Sequence, residues 1–167
     1  RRKHMLGKTL TTGPERAIIE NMLDHNREAL IETVRGLSEA DAHRRLVASL
    51  TTPISLIKHA AAAERIWFQR FWAGLSESEC DGYSRRDEGT FAVTDDESLA
   101  DVITEFESAS QRSREIAARF ELDDTTHDAQ QGTFRMRWTL LLMIQEFARH
   151  AGHGDILREQ IDQPLDR

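Results

Sequence analysis

The residues with the clearest chemical potential lie near the C-terminal end, in Trp138-Thr-Leu-Leu-Leu-Met-Ile-Gln-Glu146-Phe-Ala-Arg-His150-Ala-Gly-His153. At 100° per residue, Glu146, His150 and His153 fall within about 60° of one another on a helix. Thr139, Leu142 and Leu157 share that line, so the carboxylate and the imidazoles interrupt a stripe that should face a core. A second intrusion sits upstream, where His59 stands in the apolar stripe Leu56, His59, Ala62, Ala63 and Ile66. The small residues at 60–63 would let a neighbouring helix approach closely. One imidazole from this helix with Glu146 and His150 from the other would make a His₂Glu set. Three protein donors leave a position open, as in catalytic rather than structural zinc. Imidazole nitrogen also suits nickel, iron and copper. The competing reading is that each group is a hydrogen-bonded core residue, with Glu146 paired to Arg149, His150 or Arg70. An uncompensated core charge costs several kcal/mol, so inward ionisable groups on two helices call for a shared partner.

Four helical patterns would position these groups. The first opens at Pro14, which suits the first helical position. It runs to about Gly36 on a stripe of Ile18, Met22, His25 and Ala29, with Ile19, Leu23, Asn26 and Leu30 beside it. Ser38-Glu39-Ala40-Asp41 predicts a short capped turn. The second long helix starts at Thr52-Pro53 and covers residues 52–73, before Gly74. Residues 75–93 read as a long polar loop, a length that often carries function. Thr94-Asp95-Asp96-Glu97 reads as the cap of a third helix ending near Phe120. Residues 121–133 read as a second polar loop, and the last helix covers 134–161. No segment alternates apolar and polar with the period of a strand. The expected fold is therefore all-α, an antiparallel four-helix bundle, because amphipathic helices bury their stripes only against one another. The 75–93 loop could be a crossover, so simple up-down-up-down order does not follow.

Composition narrows the classes of function. A chain of 167 residues with 39% hydrophobic and 31% charged residues, nine glycines and three prolines suits one globular domain. The expected division is a disordered or expression-derived segment at 1–13, which sets His4 aside, and one metal-binding domain at 14–163. A net charge of −7 argues against a nucleic-acid partner. The longest apolar run, Leu140 to Ile144, has five residues, too few for a membrane span. The single cysteine, Cys80, cannot close an internal disulfide, and a cytoplasmic location is expected. Among acidic neighbours its thiol is a poor nucleophile. His43 and His127 read as surface residues, and His25 with Asn26 as core polarity. Trp67, Phe68, Phe71 and Trp72 read as packing, with a pocket lip or a dimer contact as alternatives.

Ile57-Lys58-His59, Glu64-Arg65-Ile66-Trp67, Arg137-Trp138 and the string from Glu146 through His150, His153 and Asp155 to Glu159 resemble the DinB/YfiT-like superfamily. Within it, the chain looks like the mini-circle protein branch and, with Glu146 in place of a histidine, like the N-terminal domain of mycothiol-dependent maleylpyruvate isomerase. The likeness covers about Pro14 to Ile161. It implies a four-helix bundle holding one divalent metal, zinc or nickel. Many members use three histidines, whereas the isomerase domain uses His, Glu and His. Carried over, the metal ligands are His59, Glu146 and His150. His153 would be a catalytic proton carrier, a fourth ligand or a support for another ligand. The likeness further implies a metal-dependent transferase or isomerase working with a low-molecular-weight thiol such as mycothiol, in a homodimer. Arg70 is the expected thiol-binding residue. The isomerase's second domain has no counterpart here. The alternatives are a metal-dependent hydrolase using the same ligands, or a non-catalytic stress-response or binding module whose metal is closed by His153.

Overall fold

The structure, a computed structural model, describes residues 8–163. Residues 1–7, including His4 and part of the expected N-terminal segment, lie outside the described residues. Those that follow lie along the first helix, where the Leu10 N–H donates to Asn21 Oδ1 at 2.8 Å.

The chain is mostly helical. Helix α1 spans Glu15–Glu32, a single turn α2 spans Glu39–Ala42, α3 spans Pro53–Glu64, α4 spans Leu99–Ala117 and α5 spans Met136–Asp162. Beyond Glu64 the helix widens into a π-helical stretch, Arg65–Trp72, a winding that is rare at this length. Local chemistry sets most of the starts. Thr52 and Ser55 form a reciprocal capping box ahead of Pro53. Ser38 Oγ accepts from the Asp41 N–H, and Ser98 does the same for Asp101. The expected start of the third helix shifts accordingly: Thr94-Asp95-Asp96-Glu97 closes a turn of its own, with Thr94 N–H donating to Glu97 Oε2.

Cross-helix contacts fix the directions. Arg137 at the start of α5 pairs with Glu15 at the start of α1 (2.8 Å), and Arg158 near its end donates to the Arg35 carbonyl just beyond α1 (2.9 Å). These helices run parallel. Lys58 meets Glu97 and Glu64 meets Ser110, so α3 and α4 are parallel too. Trp72 donates to Thr139 while His59 meets Glu146, which makes α3 and α5 antiparallel. Arg16 reaches the Ala117 and Phe120 carbonyls while Arg114 reaches Asp24, so α1 and α4 oppose as well. The antiparallel expectation thus holds for two of these pairs and fails for α1–α5 and α3–α4. The reason is the connection after α3. It travels back along a helical stretch of about 30 Å before α4 can begin. It is a crossover, stiffened by short 3₁₀ turns at Glu77–Glu79 and Glu88–Phe91.

The expected polar loop at 121–133 and the expectation of no strands need a further correction. Thr125–Asp128 and Gly132–Arg135 form a small antiparallel hairpin, registered Thr125 to Arg135 and His127 to Thr133. Its Phe134 is buried against Trp67, Phe71 and Trp72, which gives those aromatics packing partners at the far end of α3. The α1 stripe is rotated from expectation. Met22 is exposed, while Leu23, Arg27, Leu30 and Ile31 are buried, because Arg27 finds an acid inside (below).

The parallel pair α1–α5 comes close together at Gly154. A methyl group there would stand 2.7 Å from Thr33 Oγ1 and 2.9 Å from its Cβ. Thr33 is buried, with its hydroxyl committed to the Leu30 carbonyl at 2.7 Å, so it has little room to yield. Gly154→Ala is expected to cost about 1–3 kcal/mol, as overpacking does. Urea unfolding followed by circular dichroism reads it, and an unchanged midpoint would refute the close approach.

Candidate metal centre

Helix α3 presents His59 and α5 presents Glu146 and His150 where the two antiparallel helices face each other. The one-turn spacing of Glu146 and His150 puts both on the same side of α5. His59 Nε2 lies 2.8 Å from Glu146 Oε1, and His150 Nε2 lies 2.9 Å from that same oxygen. One ligand-capable atom from each residue lies within 4.8 Å of the others. The imidazole centroids are 4.6 Å apart and nearly perpendicular. All three side chains keep some access to solvent, with Glu146 the most open at 28%. Hydrogen bonds from His150 and then His59 hold the Glu146 carboxyl well below the ordinary carboxylate range, against an opposing push from burial. Two nitrogens and one carboxylate oxygen, convergent and partly dry, are a donor set that suits a divalent transition metal.

The crossover completes the site. Thr90 Oγ1 stands 2.9 Å from His59 Nδ1, and the Phe91 ring stacks on His59 at 4.1 Å with 13° between planes. Neither residue is legible as part of a site from sequence, since both belong to a loop whose path depends on the whole fold. The only signal is the length of that loop.

His153 lies on the exposed side of α5, its ring 5.5 Å from that of His150, and it is outside the convergent set. Arg70 is not brought to the cluster either. It lies about three turns beyond His59, in the π-helical stretch, and its Nη1 donates to the Ser84 carbonyl at 3.1 Å. His25 makes no hydrogen bond among the described residues, and Asn26 only caps back to the Met22 carbonyl. His127 is exposed in the hairpin as expected, while His43 is half-buried against the Glu39 carbonyl. Cys80 donates to the Ser76 carbonyl.

Helices of this connectivity with a His–Glu–His cluster between α3 and α5 define a protein of the DinB/YfiT-like class. Residues 18–163, nearly the whole chain, match the family described as mycothiol-S-transferase, and the chain belongs to that family. No curated protein matches it. Among the described residues, no helix is long and apolar enough to cross a membrane.

Proposed function

We propose that this protein is a metal-dependent S-transferase that joins a low-molecular-weight thiol of the mycothiol type to an electrophile. Its fold on this reading is a single four-helix-bundle domain at residues 14–163, working as a cytoplasmic homodimer. His59, Glu146 and His150 hold the metal, zinc in the first place and nickel in the second. The observation that carries the reading is the meeting of two imidazoles from different helices on one carboxylate oxygen. Membership of the mycothiol-S-transferase family supports the choice of thiol. A divalent ion held there lowers the pKa of a thiol that it binds.

The protein's own contribution is positional. The three donors come from two packed helices, so their geometry is set before any ligand arrives. Phe91 covers one face of His59 and limits water there. His153, exposed beside His150, is placed to exchange a proton with solvent and pass it toward the reacting groups. Its position also bears on the alternative of a closed structural metal. A fourth protein ligand would most simply be His153, which stands outside the cluster, and three donors leave a position for substrate.

The test is consumption of mycothiol by purified protein against epoxide, quinone and unsaturated-acid electrophiles. Turnover should vanish after chelation and return on adding zinc or nickel. Turnover unaffected by chelation would remove the metal from the mechanism. No turnover with any of these electrophiles, in protein shown to be metal-loaded, would favour the binding module.

A further inference from the structure

We infer that Thr90 is a positioning residue, which fixes the proton of His59 on Nδ1 and so turns the Nε2 lone pair toward a metal shared with Glu146 and His150. The inference rests on the metal reading above and assigns a role to the crossover within it.

The argument follows the protons. A threonine hydroxyl has one proton to give and lone pairs to receive. Thr90 Oγ1 donates to the Asp87 carbonyl at 3.1 Å, within its own 3₁₀ turn. What it offers His59 Nδ1, 2.9 Å away, is therefore a lone pair. Nδ1 must carry a hydrogen to use it. In the neutral ring that leaves Nε2 bare, facing Glu146 Oε1 at 2.8 Å. A lone pair against a carboxylate oxygen is repulsive unless a proton or a cation lies between them. The arrangement thus favours a positive occupant at the point where a metal would bind. Ligating histidines are commonly oriented in this way by a partner on the other nitrogen.

The ring has little freedom to choose otherwise. Phe91 fixes its plane by stacking, and Thr90 is itself 4% exposed. The crossover that carries both is tied down along its path. Asp81 accepts from Arg65 Nε at 2.7 Å and from Gln69 Nε2 at 3.0 Å. The Ser84 carbonyl accepts from Arg70, Asp87 Oδ1 accepts from the Gly89 N–H, and Glu97 pairs with Lys58 at 2.5 Å. Arg70 thus helps to anchor the segment that holds His59.

Two variants test the role. Thr90→Val keeps the shape and removes the hydroxyl; Thr90→Ser keeps the hydroxyl. Zinc affinity measured by competition with a chromogenic chelator should fall about 10–100-fold in Thr90→Val, the usual loss for a partner of a ligating histidine. It should stay at the wild-type value in Thr90→Ser. Thr90→Val binding zinc as tightly as wild type would overturn the inference. A second readout needs no metal. In metal-free protein the His59 Nδ1–H should give a protected imidazole signal in proton–nitrogen spectra of wild type and Thr90→Ser, and lose it in Thr90→Val. Persistence of that signal in Thr90→Val would overturn the role of Thr90. Failure of wild type to take up zinc would overturn the metal reading alone, and the imidazole signal would still decide Thr90.

Discussion

Glu64→Ala is expected to lower the stability of the fold by about 3–5 kcal/mol, the cost of leaving a buried charge without its partner. Glu64 is fully buried on α3 and meets Arg27 of α1 through both oxygens, Nε to Oε1 at 2.6 Å and Nη2 to Oε2 at 3.0 Å. Ser110 of α4 adds a third hydrogen bond at 3.1 Å. Three helices are joined at one carboxylate. Arg27 has a further partner in Asp24 at 2.8 Å, but Asp24 is itself engaged by Arg114 at 2.8 Å. Removing Glu64 thus strips the inner half of the guanidinium of its acceptors in a buried site. Against a total stability of about 5–15 kcal/mol for an ordinary domain, this is a large share. The double replacement Arg27→Met with Glu64→Leu should recover most of the loss, since a buried pair replaced by apolar groups of similar volume is often neutral or better. Urea midpoints of the single and double variants decide it. A single variant costing under about 1 kcal/mol would show that Arg27 finds other partners.

The same pair explains what could be read in the sequence and what could not. A helical pattern shows its core face when that face is apolar. Arg27 is charged and buried, so the stripe drawn through Met22 and His25 points α1 partly toward solvent, and only the distant Glu64 reveals the correct rotation. Glu146 and His150 were legible because their spacing is a local property of one helix, and His59 because it breaks an apolar stripe. The direction of α4 was not, because it depends on the path of residues 73–98 and on contacts such as Asp81 with Arg65 that link residues far apart in the chain. The hairpin escaped for another reason. Thr125-Thr-His-Asp has no apolar alternation; it is held by pairing with Gly132–Arg135 and by one inward side chain, Phe134. Thr90 and Phe91 lie in a loop, and a loop shows its side-chain targets only once its ends are placed.

Glu146→Gln is expected to reduce zinc affinity well beyond the ~10–100-fold that follows loss of an outer partner, because it removes a donor and its charge together. Oε1 is the one atom that both imidazoles approach, and it is the negative member of the set. An amide oxygen would still accept one N–H, but it offers a metal no net charge. Its NH₂ group has no lone pair to offer a metal. Glu146→His, which replaces the carboxylate with a third imidazole, should keep the metal, since imidazole supplies a neutral nitrogen at the same turn of α5. The pair of variants thus separates loss of a donor from general damage to the helix. In wild type the carboxyl ionises far below the ordinary range through its bonds to His150 and His59. Without metal it is therefore a carboxylate throughout mild acid, and acid releases a bound metal by protonating its ligands. Elemental analysis after dialysis, with chelator competition at several pH values, measures all of this. Full metal retention in Glu146→Gln would place the ion elsewhere and leave Glu146 as an acceptor for two core histidines.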